Sequence, residues 1–152
     1  MIDIRPGDLD DPRVLELLGV HLALARAVSP PESTHALDIA GLRGPAILFW
    51  SGWESEALVA VGALAELDPG HGEVKSMHVA AAARGCGVGG AMLRHIIAAA
   101  RASGRTRLSL ETGAMDYFAP ARALYRRHGF HDCGPFGRYG PDPNSVFMTM
   151  TL

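Results

Sequence analysis

The stretch that decides the fold is GEVKSMHVAAAARGCGVGGAMLRHIIAAARASGRTRLSLE, residues 72–111. Its first part, residues 72–79, alternates in side-chain character and predicts a strand. A glycine-rich turn follows, and apolar residues over 92–100 then recur at helical spacing in a helix that ends at Gly104. Residues 107–111 predict another strand. Because a helix-length crossover joins the two strands, we expect them to lie parallel in one sheet.

The sequence around this crossover predicts further strands and helices. On the N-terminal side we expect a strand at 2–5, a helix from about 12 to 29, a helical turn at 34–42, and a hairpin of strands 46–50 and 57–67. On the C-terminal side we expect a helix at 118–128 and strands at 130–133 and 146–151. No repeat or linker interrupts the 152 residues. The sequence therefore predicts a single domain, residues 1–152, of the mixed α+β class.

Composition favours an ordinary globular protein and excludes several function classes. Apolar residues make up 48% of the chain and charged residues 20%, which is normal usage for a folded domain. No apolar run is long enough to span a bilayer and the N-terminus has no leader pattern, so we expect a cytoplasmic protein that binds no membrane. Cys86 and Cys133 are expected to be free thiols. None of the seven histidines lies in a metal-binding motif, so no metal is expected.

Charge is distributed unevenly along the chain. The net charge of −2 is far from the strong basic excess that nucleic-acid binding needs, so no nucleic-acid partner is expected. Residues 1–73 hold 12 acidic and 4 basic side chains, whereas residues 74–152 hold 4 acidic and 10 basic ones. The second half suits a polyanionic ligand and the first half a cationic one. Chance clustering of surface charge is an equally open interpretation.

The glycine-rich turn, residues 84–90 (RGCGVGG), lies between a predicted strand and a predicted helix. The first backbone N–H groups of a helix have no partners and favour a phosphate, and glycines let that anion approach closely. Two alternatives remain at this point: the glycines merely turn the chain, or they form a dinucleotide fingerprint with Glu111 as the ribose-binding acid. Only 41 residues follow Glu111, which is short for the further β-α units of a dinucleotide fold.

The turn resembles the Arg-x-x-Gly-x-Gly motif of the GNAT acetyltransferases, which cradles the pyrophosphate of coenzyme A. Residues 121–130 (ARALYRRHGF) resemble the second GNAT signature, an Ala-x-x-Leu-Tyr helix that ends in Gly-Phe. The resemblance covers residues 73–130 and is closest to small stand-alone bacterial enzymes. It implies the GNAT acyl-CoA N-acyltransferase fold, a three-layer α/β/α arrangement around a mixed, mostly antiparallel sheet.

The resemblance also implies an activity and a set of site residues. The activity is transfer of an acetyl group from acetyl-coenzyme A to a primary amine of a small molecule or peptide by direct attack. Tyr125 is the implied general acid and Glu73, four residues before Met77, the implied general base. The implied coenzyme A-binding residues are Met77, His78, Val79, Arg84, Gly85, Cys86, Gly87, Val88, Gly89, Gly90, Phe118 and Arg127.

Several alternatives to these roles stay open in the sequence. Tyr125 could be packed for its ring area alone, and Glu73 could be an exposed strand residue without a role. Phe118 stands where many GNAT members have an asparagine, so the hydrogen bond of that asparagine is absent or replaced. The whole chain could be a non-catalytic coenzyme A-binding sensor. We expect the acceptor near residues 29–35 and 136–145, and a possible homodimer that uses strand 146–152 as an edge.

Overall fold

The structure, a computed structural model, describes residues 2–152. Its α-helices are α1 (Pro12–Val28), α2 (Ile39–Leu42), α3 (Val88–Ala102) and α4 (Ala119–Arg127). Its strands are β1 (Asp3–Pro6), β2 (Ile47–Glu54), β3 (Ala57–Asp68), β4 (His71–Val79), β5 (Arg107–Gly113), β6 (His131–Cys133) and β7 (Ser145–Thr151). Over these residues no helix is both long and apolar enough to cross a membrane.

All seven strands form one sheet in the order β1-β2-β3-β4-β5-β7-β6. Within residues 2–152 the only parallel neighbours are β4 and β5, and the other strand pairs are antiparallel. The predicted mixed, mostly antiparallel sheet is confirmed. The dinucleotide alternative is wrong, because that fold requires a mostly parallel sheet built from repeated β-α units.

Helices cover both faces of the sheet and give the predicted three layers. Side chains of α3 and α4, such as Ile96 and Tyr125, join Leu64 and other strand residues in one core. Side chains of α1, such as Leu18, join Val61 in a second core. Leu64 and Val61 both belong to β3 and point to opposite faces, because alternate strand residues face opposite sides of a sheet.

Some predicted boundaries are wrong for local reasons. The strand expected to end at residue 50 continues to Glu54, because residues 50–53 pair with β1 and the whole of β2 pairs with β3. Gly52 lies inside this strand, where a Cβ would come within 2.6 Å of Ile2. The hairpin instead turns at Ser55, which has a φ of 55°. The helical turn expected at 34–42 is only the four-residue α2, preceded by a 3₁₀ turn at Pro31–Ser33.

The prediction that strand 146–152 forms an edge of the sheet is also wrong. Residues 145–151 form β7, which lies between β5 and β6. It pairs with β5 along the whole of both strands, from Arg107 opposite Thr151 to Gly113 opposite Ser145. The edges of the sheet are β1 and β6, so any dimer formed by adding strands to this sheet would use those strands.

β4 and β5 pair only at their beginnings. Their register runs from His71 opposite Arg107 to Glu73 opposite Ser109 and then stops. On the other side of β4 the register with β3 shifts between Val61 and Ala63, and Ser76 at this bulge has a φ of 54°. A bulge bends a strand and re-aims its side chains. The sheet therefore opens between the C-terminal ends of β4 and β5.

We expect Ile96→Ala to destabilise the domain by about 2–5 kcal/mol, because it leaves a cavity in the core under α3. Ile96 is fully buried there. The matched control is Val20→Ala on α1, where the side chain is 45% exposed and the change should stay within about 0.5 kcal/mol. Urea unfolding followed by circular dichroism measures both. Equal effects of the two substitutions would contradict the assignment of α3 to the core.

Candidate active site

Two cavities lie side by side at the opening between β4 and β5 and share several lining residues. The larger, of about 490 Å³, extends from the opening to the glycine-rich turn. The smaller, of about 140 Å³, lies on the side of the loop between α1 and α2. The residues that line both are His21, Ala25, Met77, Phe118, Ala121 and Tyr125. Two molecules bound in these cavities would meet beside these shared residues.

The larger cavity is lined by most of the residues predicted to bind coenzyme A. These are Met77, His78, Val79, Arg84, Gly85, Gly87, Val88, Gly89, Gly90, Phe118 and Arg127. The remaining predicted residue, Cys86, has an exposed free thiol and does not line the cavity. Only its backbone can therefore contribute to the turn.

The glycine-rich turn fits a bound pyrophosphate. Gly85 and Gly87 have φ values of 76° and 80°, which side-chain-bearing residues rarely adopt. Gly87 is the N-cap of α3, and the N–H groups of the first helical turn, residues 88–90, have no partners within the helix. Arg84 is exposed at the rim, with its guanidinium 3.4 Å from the hydroxyl of Tyr117. The helix N-terminus and the arginine both favour a phosphate group here.

The arginines of α4 differ in what they are free to bind. Arg122 donates to the carbonyl oxygens of Gly113 and Met115, at 2.7 and 2.9 Å, and so holds the end of β5. Arg126 forms an ion pair with Asp132. Arg127 lines the larger cavity. Of these three side chains, Arg127 is the one that can reach a ligand there.

Tyr125 lies where the two cavities meet. It projects from α4 into the opening, is 8% exposed, and packs edge-on against Phe130. Burial, together with the negative charge of Glu111, raises the pKa of Tyr125 to about 12. The phenol is therefore protonated at neutral pH and can act as a proton donor.

The smaller cavity contains two carboxylates and a lysine. Glu73 is 4% exposed, so the alternative of an exposed strand glutamate is wrong. Its Oε2 accepts hydrogen bonds from the hydroxyl of Tyr139 at 2.6 Å and from Nζ of Lys75 at 3.2 Å. Glu111 on β5 lines the same cavity, and burial raises the pKa of its carboxyl. Tyr139 is itself partly buried, and this burial, together with the negative charge of Glu73, raises the pKa of its hydroxyl.

Two histidines contact each other beside the shared residues. Nδ1 of His21 on α1 is 3.2 Å from Nδ1 of His78 on β4. Burial lowers the pKa of both rings, and the pKa of His78 falls to about 4 with further contributions from His21 and Arg84. Both rings are therefore neutral at pH 7, and one Nδ1 donates to the other. Nε2 of His78 is buried without a partner among the described residues.

Comparison with known proteins decides the family. The model of the acetyltransferase (GNAT) family matches residues 17–130. The chain belongs to the GNAT family of acetyltransferases. GNAT acetyltransferases use acetyl-coenzyme A, and this chain is an acyltransferase. Across residues 2–152, no group of three or more His, Cys, Asp or Glu side chains could hold a metal ion.

Relatives of this GNAT chain match it over nearly its whole length. The N-acetyltransferase YsnE of Bacillus subtilis (strain 168) is 52% identical over 98% of the chain and 99% of its own length. The N-acetyltransferase YedL of Escherichia coli (strain K12) is 46% identical over 100% of the chain and 96% of its own length. The crystal structure of an acyl-CoA N-acyltransferase from Klebsiella pneumoniae has a TM-score of 0.81 and 27% identity, and covers 100% of this chain and 98% of that one.

Sequence reasoning missed several side chains that lie at the smaller cavity. Tyr139 lies in a loop without periodicity, and only the fold brings it to Glu73, which is distant in sequence. Lys75 reads as an ordinary polar strand residue, and Glu111 attracted attention only for the dinucleotide alternative. The one available signal was strand alternation. Glu73 and Lys75 are two residues apart on β4 and therefore face the same side of the sheet, and Glu111 on the neighbouring strand β5 can face that side too.

We expect stability to fall as pH decreases between about 6.5 and 4, in part because of His78. The unfolded chain takes up a proton on this ring near the ordinary histidine pKa, whereas the folded protein does so only near pH 4. Acidification through this window therefore favours unfolding. Urea titrations at several pH values should show a shallower pH dependence for His78→Asn than for the wild type. His131→Asn, at an exposed position on β6, should retain the wild-type dependence, and an identical loss in both variants would contradict this account.

We expect Gly87→Ala to weaken acetyl-coenzyme A binding at least about fivefold, because a Cβ at a positive φ costs ~1–2 kcal/mol and shifts the turn away from this geometry. Isothermal titration calorimetry measures the affinity. The matched control is Gly134→Ala, at a position with ordinary φ and nothing within 4 Å of the added Cβ. Unchanged affinity in a folded Gly87→Ala protein would contradict the role of the turn.

Proposed function

We propose that this GNAT enzyme transfers the acetyl group of acetyl-coenzyme A directly to a primary amine, with Glu73 as general base and Tyr125 as general acid. The observation that carries the proposal is the meeting of two cavities beside Tyr125. One cavity ends at a turn that suits a pyrophosphate, and the other contains carboxylates that suit an ammonium group. A single-ligand binding protein does not need a second polar cavity at this point.

The larger cavity is the proposed cofactor site. When bound, acetyl-coenzyme A supplies the acetyl group as an activated thioester. The N–H groups of the turn, residues 84–90, would hold the pyrophosphate. Arg127 would contact the other phosphate of coenzyme A, the 3′-phosphate of its adenosine. The backbone of Met77, His78 and Val79 lies beyond the last β4–β5 pair, so its polar groups on that side are free to orient the pantetheine arm and the thioester carbonyl.

The smaller cavity is the proposed acceptor site. An alkyl amine with a pKa of ~10.4 reaches it almost entirely as ammonium and must lose a proton before it attacks. Oε2 of Glu73 is occupied by Tyr139 and Lys75, which leaves Oε1 to take that proton directly or through water. Glu111 is a second candidate base, because its raised pKa lies closer to neutral pH than that of an ordinary carboxyl.

Proton transfer completes the reaction at the sulfur side. The amine nitrogen forms a bond to the acetyl carbon as the carbon–sulfur bond breaks, and Tyr125 donates its phenolic proton to the departing thiolate. Burial keeps the phenol of Tyr125 protonated, and the departing thiolate develops its charge beside it in the same desolvated site, which favours neutralisation of that charge. The acylated nitrogen then loses its second proton, which restores the phenol of Tyr125, while Glu73 releases the first proton to solvent. No acyl-enzyme is required, so neither cysteine has a chemical role.

We expect Tyr125→Phe and Glu73→Gln each to lower kcat by about 10²–10⁴-fold, the range typical of general acids and bases. Release of free thiol from acetyl-coenzyme A in the presence of a panel of primary amines measures turnover, and calorimetry checks that both variants still bind the cofactor. Glu66→Gln, on an exposed position of β3, is the matched control and should keep wild-type activity.

The pH dependence of kcat/KM identifies the base. If Glu73 takes the proton, the acidic limb of the profile disappears in Glu73→Gln and persists in Glu111→Gln. The reverse result would transfer the role to Glu111. Tight acetyl-coenzyme A binding with no thiol release on any amine would contradict the catalytic proposal and favour a coenzyme A-binding sensor.

A further inference from the structure

Two loops meet at the boundary of the proposed acceptor cavity and form what we call the roof. One is the segment 29–38 between α1 and α2, and the other is the segment 134–144 between β6 and β7. Asn144 donates from Nδ2 to Oγ of Ser33 at 3.3 Å. Nε2 of His35 lies 3.7 Å from a carboxylate oxygen of Asp142. Both Ser33 and His35 line the cavity, so these contacts connect the two loops at its boundary.

The roof is also attached to the floor of the cavity. Tyr139, from the loop 134–144, stacks edge-on against His35 with ring centroids 5.1 Å apart. Its hydroxyl donates to Glu73 and accepts from Lys75, both of which are on β4. A polypeptide that entered between the two loops would have to break these contacts. The folded loops therefore limit how far an acceptor can extend beyond the cavity.

The size of the cavity sets a similar limit. Its volume is about 140 Å³, and a protein cavity of about 150 Å³ is large enough for benzene, a molecule of six carbon atoms. The part of the acceptor that lies under the roof is thus about as large as a short amine with a few further atoms. Any longer acceptor would have to extend out of this space past the roof.

The charges around the cavity favour one positive charge on the acceptor and no negative one. Nζ of Lys75 forms an ion pair with Oε2 of Glu73 at 3.2 Å, and Nε2 of His35 lies beside the carboxylate of Asp142. The carboxylate of Glu111 has no cationic partner within ion-pair distance among the described residues. An ammonium group would supply that partner. A carboxylate on the acceptor would meet no unmatched cation, and an unpaired charge in a buried site is strongly unfavourable.

On the basis of the proposed function, we propose that the acceptor is a small primary amine whose only charge is its ammonium group. Glu111 binds that ammonium group, and the roof excludes polypeptide N-termini. Zwitterionic amino acids are excluded by their carboxylate. This charge argument holds whichever of the two glutamates takes the proton.

Matched pairs of acceptors test the two parts of this inference. L-Alaninol and L-alanine have nearly the same size, but only alanine carries a carboxylate. L-Alaninamide and an amidated tetrapeptide with N-terminal alanine share the reacting group and its charge, but differ in length. We expect kcat/KM, measured by thiol release at saturating acetyl-coenzyme A, to be at least about tenfold higher for the first member of each pair. Pairs built on serine and leucine extend the test to other side chains.

Variants connect these ratios to the named residues. In Glu111→Gln, the ratio of kcat/KM for alaninol to kcat/KM for alanine should fall at least about fivefold, because the variant removes the unpaired negative charge. The ratio remains informative if both rates are low. In Asn144→Ala and in His35→Ala, which open the roof, the tetrapeptide should gain at least about fivefold relative to alaninamide. Two roof variants are used so that misfolding of one leaves a measurement. His131→Ala, exposed on β6 and outside the roof, should leave both ratios unchanged.

The outcomes separate this inference from the proposed function. Equal or faster turnover of alanine, or of the tetrapeptide, overturns the inference while acetyl transfer itself stands. Ratios that do not respond to Glu111→Gln or to either roof variant overturn the residue assignments. Thiol release from none of the probes, in a protein that binds acetyl-coenzyme A, overturns the proposed function and this inference together.

Discussion

The candidate site depends on one feature of the sheet: β4 and β5 are paired only at their first residues. After Glu73 and Ser109 the two strands separate, and the bulge at Ser76 bends β4 away from its neighbour. Strands that diverge leave backbone groups without sheet partners, and such groups must be satisfied by a ligand or by water. The gap exposes those groups, admits Tyr125 from α4, and joins the two cavities. A sheet paired along its full length would have no site at this point.

Burial within this gap determines the chemistry available to the side chains. Tyr125 is kept protonated because its phenolate would be desolvated beside Glu111. Burial raises the pKa of Glu111. The carboxylate of Glu73 accepts hydrogen bonds from Lys75 and Tyr139. Neighbouring ionisable groups thus have different environments, which allows donor and acceptor roles to coexist at one pH. The carboxylates of the acceptor cavity come from both halves of the chain, so the uneven charge of the halves does not by itself build the site.

Local sequence determined most of the fold and the glycine-rich turn that lines the larger cavity. The β4–α3–β5 crossover follows from strand alternation, helical spacing and a terminating glycine, all of which act between residues close in the chain. Positive φ angles at Gly85 and Gly87 require glycine, so the turn is visible in the sequence. Predicted ends of strands were wrong where contacts with residues distant in the chain set them. Gly52 reads as a turn residue, yet it lies inside β2 because it pairs with Ile4 of β1 and Ala60 of β3.

Tertiary structure alone decided the contacts around the smaller cavity. Tyr139 reaches Glu73 across 66 positions of sequence, and Asn144 reaches Ser33 across 111. The position of β7 between β5 and β6, rather than at an edge, likewise depends on which strand it pairs with. Such contacts leave no periodic signature, because each loop residue is placed by the packing of the elements around it and not by its neighbours in the chain. The sequence by itself therefore determined the family, the crossover and the glycine-rich turn, while the smaller cavity, its charges and its roof came from the fold.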